Sequence, residues 1–64
     1  MITKSAPAVV LEGSTVELTQ DVPKHNLTKG QQGVVVGIRQ PGILFQVEIN
    51  FEIFDVSIRQ CKAI

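Results

Sequence analysis

The segment Gln32-Gly33-Val34-Val35-Val36-Gly37-Ile38 decides the fold. Its β-branched residues lose rotamer freedom in a helix and pack well on a pleated surface. Side chains alternate across a strand. Val34, Val36 and Ile38 therefore share one face, and Gly33, Val35 and Gly37 share the other. A glycine inside a strand marks a bulge or a close approach of another backbone, so such features are expected at Gly33 and Gly37.

Upstream, Gly30-Gln31-Gln32-Gly33 brackets a tight turn into this strand. Before it lies a polar stretch, Gln20 to Lys29, that contains Asp21, Pro23, His25, Asn26 and Thr28. Pro23 has no N–H and biases Val22 away from helix. Val22 and Leu27 are the only aliphatic residues of the stretch, and they are predicted to fold back and pin an Ω-like loop to the core. Further upstream, Thr15-Val16-Glu17-Leu18-Thr19 alternates polar and apolar, the mark of a half-buried strand. Glu12-Gly13-Ser14 reads as a turn. Residues 1–13 form a lead-in, whose Val9-Val10-Leu11 reads either as an edge strand or as a plug over an open core. Residues 14–64 form the single domain.

Downstream, Arg39-Gln40-Pro41-Gly42 is a hairpin turn. Pro41 followed by Gly42 suits a type II turn, which needs a positive φ at the glycine. The chain continues as Ile43–Ile49, with Phe45, Val47 and Ile49 inward and Gln46 and Glu48 outward. Asn50-Phe51-Glu52 reverses it without a glycine. Ile53–Ser57 returns with Phe54 and Val56 inward. The tail, Ile58–Ile64, starts with a single 3₁₀-like turn and ends in a short strand with Cys61 and Ala63, or Ile64, inward. Nowhere do apolar residues recur at helical spacing over three turns. The expected fold is all-β: a small five-stranded, SH3-like, partly open barrel, which buries a core by curling and leaves little exposed edge.

Composition bounds the function. A chain of 64 residues buries about 60% of its unfolded surface, enough for one thin core and little room for a deep cleft. Six basic and six acidic residues give a net charge of zero, divided evenly between the halves, which argues against a sequence-independent grip on nucleic acid. Cys61, the one cysteine, excludes an internal disulfide framework and a cysteine-based zinc site. No apolar run approaches the ~20 residues of a membrane span, and no signal-peptide pattern is present. With a lone cysteine, this leads to the expectation of a cytoplasmic protein.

The stretch from Val16 to Val36 carries the pattern V-x-L-T-x-D-x-P-x-H-x-L-x-x-G-x-x-G-x-V-V. In this it resembles a family of small bacterial proteins known as domain of unknown function 4926. The resemblance is clear from Thr15 to about Ile38 and rests on strand pattern alone beyond it. It implies an SH3-like barrel and little chemistry. Asn26 stands where that family often has glycine, and Gln31 where it often has an acidic residue. Asn tolerates left-handed backbone angles, so the loop conformation is expected to survive. Lys29-Gly30-Gln31-Gln32-Gly33-Val34-Val35 is also similar to the KOW element of ribosomal and transcription proteins. The strand layout resembles that of the small accessory E polypeptide of photosystem I, another SH3-like barrel.

Candidate chemistry is sparse. Asp21 and His25 read either as an acid–base pair or as loop-shaping groups that hydrogen-bond backbone. Cys61 reads either as a nucleophile paired with His25 or as core. Gly30 and Gly33 lack the Lys-Ser/Thr and the helix of a phosphate-binding loop. Lys24, Lys29, Arg39 and Arg59 read either as a basic face for RNA or as solvated charge, and the base-stacking aromatics of such modules are missing. Phe51 reads either as a core lid or as an exposed aromatic that a partner covers.

The expectation is a non-catalytic interaction module with no cofactor and no metal. Its partner is another protein, for example one encoded beside it as in a toxin-neutralising pair, or a second copy of itself. Nucleic acid and membrane are not the expected partners, and a KOW-like accessory nucleic-acid-binding protein is the alternative. Lys24, His25, Asn26, Arg39 and Phe51 are the candidate contact residues, in a groove between the Gln20–Lys29 loop and the Arg39–Gly42 turn. Asp21, Pro23, Gly30, Gly33, Pro41 and Gly42 are expected to shape the loops. Without Trp or Tyr, binding is expected to rest on apolar contact and shape.

Overall fold

The computed structural model describes residues 10–64. The chain is all-β, with five antiparallel strands in one sheet. They are β1 (Thr15–Leu18), β2 (Gln32–Gln40), β3 (Leu44–Ile49), β4 (Glu52–Ser57) and β5 (Cys61–Ala63). Their order is β4-β3-β2-β1-β5. The first four strands, β1 to β4, form a meander, and β5 returns to lie beside β1. The sheet does not close, so β4 and β5 remain its edges. Among the described residues, no helix is long and apolar enough to cross a membrane.

Alternation predicts which faces are buried. Val16 and Leu18 of β1, Val35 of β2, Phe45, Val47 and Ile49 of β3, Val56 of β4 and Cys61 of β5 form one core. Val10 joins this core while Leu11 stands exposed, and neither is in a strand. Val10 thus plugs the core; the rest of the lead-in, residues 1–9, lies outside the described residues.

β2 departs from strict alternation. Its register against β3 slips between Val35 and Gly37 and again between Ile38 and Gln40. The first slip is the bulge foreshadowed by Gly37. Directly opposed residues of an antiparallel pair point to the same face. Ile38 pairs with the fully buried Phe45, so the bulge moves Ile38 from the face of Val34 to the rim of the core, where it stays 37% exposed. Gly33 shows the other expected feature. A Cβ built on it would lie 2.5 Å from the Glu48 carbonyl oxygen and within 2.7 Å of Val47 and Ile49 side-chain carbons. Only a residue without a side chain lets β2 approach β3 this closely.

The turns follow the residue types, with one exception. Gly42 has φ +74°, and the Ile43 N–H donates to the Gln40 carbonyl at 2.9 Å, as a Pro-Gly type II turn requires. The step before β5 is a single hydrogen-bonded turn rather than a 3₁₀ helix: the Gln60 N–H donates to the Ser57 carbonyl at 2.9 Å. The exception is the β3–β4 hairpin. Ile49 pairs directly with Glu52, so Asn50 and Phe51 alone make the reversal. Both have positive φ, 53° and 68°, as in a type I′ turn.

Candidate functional site

The polar loop after β1 is closed at its neck. The Val22 N–H donates to the Leu27 carbonyl at 2.9 Å, and the Leu27 N–H donates back at 3.1 Å. Both side chains are buried. These two aliphatic residues pin the loop as predicted. Pro23–His25 forms a 3₁₀ turn that ends at Asn26, whose φ of 59° is the left-handed conformation that asparagine tolerates. Asp21 Oδ1 accepts the Lys29 N–H at 2.8 Å. Asp21 thus serves the loop backbone, the loop-shaping alternative for that residue.

His25 is half-buried against Phe54 of β4, with ring centroids 5.2 Å apart and planes tilted by 44°. Such an offset is favourable for two rings. The ring is thereby placed at the β3–β4 hairpin. Cys61 lies on β5, the opposite edge strand, with its Sγ directed at the Ser57 carbonyl at 3.5 Å. Burial pushes its thiol pKa up, the reverse of what an activated nucleophile needs. The core alternative therefore holds for Cys61. No group of His, Cys, Asp and Glu among the described residues has the geometry to hold a metal ion.

Two shallow hollows flank the tip of the β3–β4 hairpin, and Asn50 lines both. The first, about 280 Å³, lies between the loop and the hairpin and includes His25, Asn26, Gln31, Glu52 and Phe54. The second, about 310 Å³, is formed by Gln32, Gly33, Val34, Glu48, Asn50 and Phe51. The loop faces this hairpin and not the β2–β3 turn, so the groove expected between the loop and the Arg39–Gly42 turn is replaced by these hollows. Arg39 stands at the other end of β3, where its Nε lies 3.3 Å from Asp55 Oδ1. That is the only ion pair among the described residues. Lys24 is exposed on the loop. Of the candidate contact residues, His25, Asn26 and Phe51 gather around the hairpin tip, and Arg39 does not.

Of the two readings of Phe51, the exposed aromatic holds over the core lid: the side chain is 98% exposed. β3 ends at Ile49, and the positive φ values at Asn50 and Phe51 reverse the chain before the next inward position. Phe51 has company on the outer face. Register places Ile53, Glu48, Val34 and Thr15 in one row across β4, β3, β2 and β1. Ile64 donates its N–H to Thr15 at the end of that row. Ile53 is 60% exposed and Val34 41%. Glu48 and Val34 escape sequence reasoning because each belongs to an ordinary alternating strand; only the fold brings them beside Phe51.

The family model described as "Domain of unknown function (DUF4926)" matches residues 12–51, from the turn before β1 to the hairpin tip. No curated protein matches the chain, and neither does any solved structure.

Proposed function

The chain belongs to the DUF4926 family, and from that premise we propose that it is a non-catalytic interaction module on an SH3-like scaffold. Its partner is a protein, for example one encoded beside it as in a toxin-neutralising pair, and its contact surface is the outer face around the β3–β4 hairpin. One observation carries this reading: Phe51 is held fully exposed in a conformation that its residue type opposes. A bulky residue at positive φ is a backbone outlier that costs of order 1–3 kcal/mol. A type I′ turn favours glycine at that position. A residue that stabilises neither the turn nor the core is there for something outside the molecule. Val34 and Ile53 extend the apolar surface beside it. The KOW-like alternative needs cations on the contact face, whereas this face carries Glu48 beside Phe51, and Arg39 is paired at the far end of β3.

The test is recovery of the tagged chain at native expression, with Phe51→Gly as the control. The expected result is one protein at equal stoichiometry, lost in Phe51→Gly while the variant remains folded by NMR. A wild-type chain that is recovered alone and is monomeric by light scattering overturns the proposal.

A further inference from the structure

We infer that the second hollow, beneath Phe51, is a receptor for one cationic side chain, an arginine or a lysine, of a partner protein segment. The inference rests on the interaction reading above and names what that surface recognises.

The hollow has three chemically distinct walls. Phe51 contributes an aromatic ring whose exposure leaves its π face free. Val34 and the bare backbone of Gly33 form an apolar floor. Glu48 contributes a carboxylate that has no cationic partner within 4 Å among the described residues. Gln32 and Asn50 add amide oxygens at the rim. An arginine or lysine side chain matches all three: its aliphatic stem lies on apolar surface while its head stays polar. A cation over an aromatic face is attracted by the ring quadrupole. A guanidinium also offers a planar fork to a carboxylate.

Other occupants fit less well. A purely apolar partner that covered Phe51 and Val34 would take Glu48 out of water with its charge unpaired, which is strongly unfavourable. A nucleic-acid backbone would bring phosphates against Glu48. The position of Glu48 is fixed by the sheet: it pairs with Val34 on one side and Ile53 on the other, so its carboxylate is held inside the apolar row rather than at its margin.

The probe is the peptide acetyl-Ile-Arg-Val-Arg-Ile-amide, titrated into the isotope-labelled full chain and followed by amide chemical shifts. A second peptide carries citrulline at both arginine positions, which keeps size and polarity and removes the charge. The expected result is shifts centred on Gln32–Val34, Glu48, Asn50 and Phe51, with affinity at least about fivefold weaker for the citrulline peptide and for Glu48→Gln, a loss of the size expected for a partly exposed charge-assisted contact. Glu48 is exposed, so Glu48→Gln preserves the fold. Equal affinity of the two peptides at this face overturns the cation receptor and leaves the interaction reading standing. No shift at these residues with the arginine peptide also overturns the receptor, and recovery of the wild-type chain alone and monomeric removes the interaction reading separately. Saturation at this face by a poly-uridine oligonucleotide overturns both.

Discussion

At one end of β3 the chain reverses through Gln40-Pro41-Gly42-Ile43; at the other it reverses through Ile49-Asn50-Phe51-Glu52. In the first turn each residue suits its backbone. Pro41 presets its own φ, and Gly42 occupies the positive φ that excludes most side chains. In the second, Asn50 suits a positive φ and Phe51 does not. Both connections are short and both are exposed, so packing does not explain the difference. The residues of the first turn serve folding, whereas the second turn holds a residue against its local preference. Only the second borders the two hollows.

This contrast can be broken at several points. The largest effect is expected at Gly33, which forms the floor behind the Phe51 hairpin. Gly33→Ala sets a methyl against the Glu48 carbonyl and the Val47 and Ile49 side chains, and overpacking of this kind costs about 2–3 kcal/mol. Urea denaturation measures it, and a neutral result would mean that β2 and β3 separate easily. Gly42→Val comes next. It places a β-branched residue in left-handed backbone and is expected to destabilise the chain by about 1–2 kcal/mol. Phe51→Gly should move stability the other way, by about 0.5–1 kcal/mol, because relief of strain outweighs the entropy of the added glycine. A loss of stability comparable to that of Gly42→Val would show that the two turns are alike and that Phe51 serves the fold.

The smallest effect at neutral pH concerns Cys61, which borders neither hollow and serves as the reference. Burial raises its pKa in the folded chain above the unfolded value. Its contribution is therefore complete below the ordinary thiol range and is lost as pH rises through the folded value. Stability should fall on the alkaline side in the wild type and fall less steeply in Cys61→Ala. Parallel pH profiles would contradict a buried, uncharged thiol.

Much of the fold is legible in the residues because the signals are local. Thr15–Leu18 and Leu44–Ile49 alternate cleanly, Pro41-Gly42 names its own turn, and Val22 and Leu27 are the only apolar residues available to pin their loop. The departures arise where one strand meets another. The two register slips in β2 depend on how it lies against β3, and a single-strand pattern carries no register. At Phe51 the reversal is legible but its exposure is left open between two readings, because the residue type disfavours the positive φ that the turn adopts and sequence preference gives no sign of it. The candidate site is legible in part. Phe51, His25 and Asn26 are marked by being an aromatic and polar groups in connections. Glu48 and Val34 carry no such mark, because they become neighbours of Phe51 only through cross-strand pairing.

The reciprocal hydrogen bonds between Val22 and Leu27 make the loop a closed ring whose circumference is fixed at the neck. His25 reaches from that ring to the Phe54 ring of β4, so the loop is tied down twice, once through backbone at its neck and once through a side chain at the hairpin. Truncating His25 therefore frees the loop from β4 while the backbone clasp between Val22 and Leu27 persists.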